Sequence, residues 1–136
     1  MKRSENYRGI VILESLIGGT VPPAVVPFVV QMYPYLLDGW NPKTIVRLEV
    51  PARRILAVAQ TVANALLPRK YFAQFTGESE IIVTFPKKVM HVVKGEADLA
   101  EQSRNVGSSF GIPRHQMQFE KMFEQDHPTI HKEESK

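Results

Sequence analysis

Apolar positions recur along the chain with different periods, and each period predicts one kind of element. The unbroken run from Ile10 to Leu13 is typical of a strand that is central in its sheet or covered on both faces. The segment TIVRLEV, residues 44–50, alternates polar and apolar positions and predicts an amphipathic strand. Between Pro51 and Pro68 the apolar residues recur every three or four positions, which predicts a helix of about four turns.

The segment AVVPFVVQMYPYLL, residues 24–37, fits two kinds of element. Its apolar density suits a buried helix, but Pro27 and Pro34 would each cost about 3 kcal/mol inside one. Its β-branched and aromatic residues, together with the DGWNP turn that follows, favour a strand. Strand is the preferred interpretation and helix stays open. The prolines predict that such a strand lies at an edge or forms a bulge, where a missing amide donor is tolerated.

The second half of the chain predicts a meander followed by a helix. KYFAQF and EIIVTF are separated by the short loop TGES and predict a hairpin, which KVMHVV continues. A helical face at roughly residues 97–110 ends at Gly111, in a position typical of helix termination.

These elements predict a single α+β domain over residues 8–123. We expect a mostly antiparallel sheet of five to six strands with two main helices packed on one face. Residues 1–7 are expected to form a flexible N-terminus, and residues 124–136 a polar, disordered tail.

Composition narrows the class of protein. With 136 residues, 43% hydrophobic and 23% charged, the chain is typical of a globular domain that buries its own core. It has no cysteine, which excludes disulfide scaffolds, thiolate metal sites and cysteine nucleophiles, and favours a cytoplasmic location. Val21 to Leu37 is the longest apolar region, but its prolines disfavour a spanning helix, so we expect no membrane partner.

Motifs for catalysis are absent. The stretch VILESLIGGTVPP has neither the glycine spacing of a nucleophile elbow nor the Gly-Lys-Ser/Thr ending of a phosphate loop, so its glycines and prolines predict a turn. Glu14 and Glu49 are candidate paired carboxylates, although an ion pair of Glu49 with Arg47 on the same strand face is the simpler interpretation. His91, on an apolar strand face, is the candidate general base. An enzyme using His91 with Glu14 or Glu49 is therefore the third hypothesis, and no cofactor or metal is predicted.

Cations near the predicted first helix suggest an anion site. Arg53 and Arg54 lie in its first turn, where they oppose the helix dipole. With Lys87 and Lys88 they could form a basic patch, and the net charge of +3 permits an anionic partner. Nucleic acid is not favoured, because the aromatic residues of a base-stacking platform are missing from this set. Anion or nucleic-acid binding is the second hypothesis.

The leading hypothesis comes from the candidate edge strand. An apolar, proline-containing edge is suited to pairing or packing with another copy of the chain. We therefore expect a small non-enzymatic binding or interaction module that self-associates as a homodimer.

The order of elements also resembles that of known proteins. A VILESL strand, a helix ended by proline, the YFAQF and IIVTFP hairpin strands, and SSFGIPRHQMQF after a helix resemble small bacterial proteins of unknown function. The resemblance spans residues 8–120 and includes no catalytic signature. It implies a compact α+β domain and no particular activity.

Overall fold

A computed structural model of the chain describes residues 6–68 and 71–127. In chain order its main elements are strand β1 (Asn6–Ile12), strand β2 (Val29–Leu37), strand β3 (Asn41–Pro51), helix α1 (Ile55–Ala65), strand β4 (Ala73–Thr76), strand β5 (Glu80–Phe85), strand β6 (Lys88–Val93) and helix α2 (Ala97–Ser109). The six strands form one sheet in the order β2-β3-β1-β4-β5-β6, and every neighbouring pair is antiparallel. The predicted α+β class and antiparallel sheet are confirmed.

Strand β1 lies in the interior of the sheet, as its unbroken apolar run predicts. It pairs with β3 on one side and with β4 on the other. Because β3 and β4 are both antiparallel to β1, they run parallel to each other, and α1 crosses β1 to connect them. Gly9 stands opposite Leu48 and Phe75, and a side chain at this position would meet the Phe75 ring at 2.7 Å. Glycine is required there by close packing.

Residues 29–37 form a strand and not a helix. Strand β2 lies at the edge of the sheet, as Pro34 within it predicts. Pro27 precedes the strand in a 3-10 turn (Val26–Phe28), and the bulge between Val29 and Gln31 contains no proline. Pro34 stands opposite Thr44 of β3, whose backbone N–H is donated to the Glu14 carboxylate at 2.9 Å on the β1 side. Residue 34 therefore faces away from β3, and its missing N–H leaves the β2–β3 ladder intact.

Helix α1 packs on one face of the sheet, which we call the α1 face. The cluster between helix and sheet includes Val46 and Leu48 of β3, Phe75 of β4, and Val58 and Val62 of α1. The apolar residues that recur every three or four positions in α1 form the helix face that these contacts bury.

Helix α2 packs on the opposite face, which we call the α2 face. Ile81, Val83 and Phe85 of β5 point away from α1 and pack with Ala100 of α2 and with Met117 of the segment that follows the helix. Two main helices do pack against the sheet, but the expectation that they share one face is wrong. Residues 81–85 of β5 are buried on both sides of the strand, because each side is covered by a different helix.

The segment after α2 runs across the α2 face. Phe119 and Met122 are buried in its core, and further along the chain Asp126 pairs with Arg8 of β1. The ring of His127 then stacks on Tyr35 of β2, with 4.1 Å between ring centroids. Asp126 and His127, placed by the sequence in a disordered tail, thus contact the sheet. Residues 1–5, predicted to belong to a flexible N-terminus, and residues 128–136 of the predicted tail lie outside the described residues.

Neither α-helix approaches the length needed to cross a bilayer, which is about 20 residues. In residues 6–68 and 71–127, no helix is long and apolar enough to span a membrane.

Candidate functional site: the exposed surface of strand β2

Large apolar side chains are exposed on β2 and on the turn that follows it. We call this set the β2 surface: Val30, Met32, Pro34, Leu36 and Trp40. Met32 and Leu36 are each about half exposed, at 51% and 52%, and Trp40 is 72% exposed. Apolar side chains that are exposed singly are normal, whereas a contiguous row along one strand is typical of an interaction site.

The β2 surface is exposed because helix α1 covers the sheet as far as β3 and does not extend over β2. Met32 stands opposite Val46, so its side chain belongs to the α1 face. Val46 is buried by the α1-side core, but Met32, one strand further out, stays exposed. The other face of β2 is different, since Tyr33 and Tyr35 are covered by His127 there.

No charged residue occurs between Val21 and Leu37. The β2 surface therefore consists of aliphatic, aromatic and thioether groups with no side-chain charge to desolvate. Interface cores in proteins share this composition, with aromatic residues and methionine enriched and charged residues depleted.

The four cations predicted to form a basic patch are not brought together. Arg53 and Arg54 form a 3-10 turn before α1, and the Arg54 guanidinium lies over the Phe28 ring at 5.7 Å. Lys87 lies at the other end of the helix, where its backbone N–H is donated to the carbonyl of Ala63. The helix rise between residues 54 and 63 separates the two groups by about 14 Å. Lys88 follows Lys87 at the start of β6.

The predicted acid and base residues do not converge either. His91 stands opposite Ile82 and points to the α1 face, whereas Glu49 alternates with Leu48 and points to the α2 face. Glu14 lies beyond the end of β1, at the Thr44 amide. Burial acts to raise the pKa of Glu14, but hydrogen bonds from Thr44 and from its own backbone, together with the charge of Lys43, lower the pKa overall. The cleft that the enzyme hypothesis requires is absent from these positions.

His91 instead joins a polar cluster that the sequence did not indicate. The Glu80 carboxylate binds both the Nδ1 of His91, at 2.9 Å, and the hydroxyl of Tyr7, which donates at 2.7 Å. Burial acts to raise the pKa of Glu80, but these two hydrogen bonds and the nearby His91 lower it overall. Glu80 pairs with Val93 across β5 and β6, so its side chain shares the α1 face with His91. In the sequence, the alternation of side chains along β5 and β6 was the only signal that could have placed Glu80 and His91 on the same face.

No metal centre is formed by the described side chains: residues 6–68 and 71–127 contain no group of three or more histidine, aspartate, glutamate or cysteine residues placed to hold an ion. Comparison of the chain with protein-family models, with curated proteins and with solved structures finds no match.

Proposed function

We propose that this protein is an interaction module that forms a homodimer through the β2 surface, without catalytic activity of its own. The observation that carries the proposal is the row of half-exposed apolar side chains on β2, beside the part of the same face that α1 covers. The lack of cysteine supports a cytoplasmic location for this module.

A second copy of the chain is the partner that this surface fits best. Two-fold symmetry places the same patch on both sides of an interface, so a patch carrying charge of one sign would face like charge. The β2 surface has no side-chain charge, and its residues can pack against themselves without that penalty. A partner recognised by charge would find nothing complementary here.

Packing of β2 surfaces face to face is favoured over addition of strand to strand. The nitrogen of Pro34 points to the open edge and has no hydrogen to donate, in the middle of the nine-residue strand. An antiparallel copy of β2 at this edge would lose a ladder hydrogen bond at that residue in either chain. Proline in this position is a common way to block edge-to-edge pairing, while the side chains of the face remain available.

The test compares two charge substitutions at residues of similar exposure. Met32→Glu introduces a carboxylate into the β2 surface, and Leu56→Glu introduces one on α1, where Leu56 is 57% exposed. Size-exclusion chromatography with light scattering across a dilution series should show a wild-type dimer that dissociates on dilution, a Met32→Glu monomer, and a Leu56→Glu protein that behaves as wild type. A strictly monomeric wild type at high concentration would refute the proposal.

A further inference from the structure

A polar pocket of about 220 Å³ opens on the α2 face, where β1 and β3 run side by side. Its lining residues are Asn6, Tyr7, Arg8, Arg47 and Glu49. The volume is below the roughly 300–1,000 Å³ of pockets that hold drug-sized ligands. At about 30 Å³ per water molecule in the liquid, it has room for a small hydrated ion or one functional group of a larger molecule.

The Nε of Arg47, one of the residues that line this pocket, is unsatisfied. This atom is buried and has no hydrogen-bond partner within residues 6–68 and 71–127. The ion pair with Glu49 that the sequence predicts is not formed among those residues. Buried polar atoms in proteins are nearly always hydrogen-bonded, and an exception calls for a ligand, an ion or water to satisfy it.

Arg8 supplies a second guanidinium to the same pocket. It stands opposite Glu49 in the β1–β3 register, so it is a diagonal neighbour of Arg47, at a Cα separation that in antiparallel sheets is about 7–8 Å. Its Nε–H donates a hydrogen bond to the Asp126 carboxylate, which fixes the side chain and leaves the two terminal nitrogens for another acceptor. Asp126 compensates the charge of Arg8, whereas the Arg47 guanidinium has no ion pair among residues 6–68 and 71–127.

We propose that this pocket binds a phosphate group, held by Arg47 and the terminal nitrogens of Arg8. Guanidinium groups match the geometry of tetrahedral oxyanions and donate charge-assisted hydrogen bonds to them. The Glu49 carboxylate at the rim accepts a hydrogen bond from a protonated oxygen, so it favours a phosphate that retains a proton over a fully ionised oxyanion. The site lies on the α2 face and is independent of the dimer proposed above.

The experiment is a titration with inorganic phosphate, followed by the NMR signal of the Arg47 Nε–H and by backbone amides of β1 and β3. Sodium chloride at matched ionic strength is the control for screening. Glycerol phosphate is titrated in parallel: tighter binding than inorganic phosphate identifies a phosphate monoester as the ligand class, and weaker binding identifies the free ion.

Three variants decide the role of each group. Arg47→Met should weaken phosphate binding by about tenfold or more, because charge-assisted hydrogen bonds are lost. Glu49→Gln should strengthen binding of the dianion several-fold, since it removes a repulsive charge. Arg53→Met, at the start of α1, should leave binding unchanged. If Arg47→Met fails to fold, Arg47→Lys keeps the charge but loses the fork and should still weaken binding.

The proposal is overturned if the shifts are not saturable and follow ionic strength alone. It is equally overturned if phosphate binds Arg47→Met or Arg47→Lys as tightly as wild type. Binding that responds to Arg53→Met and not to the Arg47 variants would assign the anion site to the turn before α1 instead.

Discussion

Replacing Leu36 by serine tests whether the β2 surface meets itself across a two-fold axis. Complete burial of a leucine side chain contributes about 1.5–3 kcal/mol. Leu36 is 52% exposed, so roughly half of this, about 0.8–1.5 kcal/mol, is left for the interface to gain in each copy. In a symmetric dimer the loss occurs twice, at about 1.5–3 kcal/mol, which corresponds to a rise in the dimer Kd of roughly 10- to 150-fold.

Sedimentation equilibrium measures this Kd, and Trp40, the single tryptophan of the chain, gives a second reading through its emission wavelength. A mixture of wild type and variant should form heterodimers with half of the free-energy loss, because only one of the two sites is altered. Leu56→Ser, at 57% exposure on α1, is the matched control and should leave Kd unchanged. The reasoning is refuted if Leu36→Ser and Leu56→Ser have equal effects. A full loss in the heterodimer would likewise contradict two-fold symmetry.

Three further predictions concern the fold and its pH dependence. Gly9→Ala should lower the free energy of unfolding in urea by about 0.5–2 kcal/mol, because overpacking against Phe75 costs about 1–3 kcal/mol and the relief of glycine flexibility offsets about 0.5–1 kcal/mol. Phe75→Leu in the same chain should reduce the added loss from Gly9→Ala, and no reduction would contradict the contact. Burial lowers the pKa of His127 below its ordinary 6.5, although the charge of Asp126 acts to raise it. The contribution of His127 to stability is therefore complete above pH 6.5 and is lost as the pH falls through the folded pKa. Urea midpoints from pH 7.5 downward should show this loss in wild type and not in His127→Phe. The lowered pKa of Glu80 gives a contribution to stability that is complete above pH 4.5 and is lost as the pH falls further. Glu80→Gln should reduce this loss of stability at acid pH, and an unchanged loss would argue against the cluster of Glu80, His91 and Tyr7.

Local chemistry predicted the elements better than their arrangement in space. The edge position of β2 followed from Pro34, because a proline acts on the backbone of its own segment. The end of α2 at Gly111 followed in the same way, and Gly111 has the positive φ of 84° that glycine favours. Such effects need no knowledge of distant residues.

The face covered by α2 depends on contacts between segments far apart in the chain. The apolar residues 81–83 and 85 of β5 were compatible with cover on both sides, but did not say which helix lay on which side. The same limit applies to Arg8 and Arg47, which become neighbours only through the register of β1 on β3. In the sequence each is a single cation on an alternating strand, and the pair is invisible without that register.

The most direct measurement of the proposed dimer is intermolecular paramagnetic broadening in a mixed sample. The chain has no cysteine, so the Met32→Cys variant carries a nitroxide at one position only. This spin-labelled protein, without ¹⁵N enrichment, is mixed with ¹⁵N-labelled wild type. We expect broadening of ¹⁵N amide signals in residues 29–40, and none above background when the nitroxide is carried by Leu56→Cys. Two results would contradict association through the β2 surface. One is no broadening from the nitroxide at residue 32 at concentrations where light scattering detects a dimer, and the other is stronger broadening from the nitroxide at residue 56.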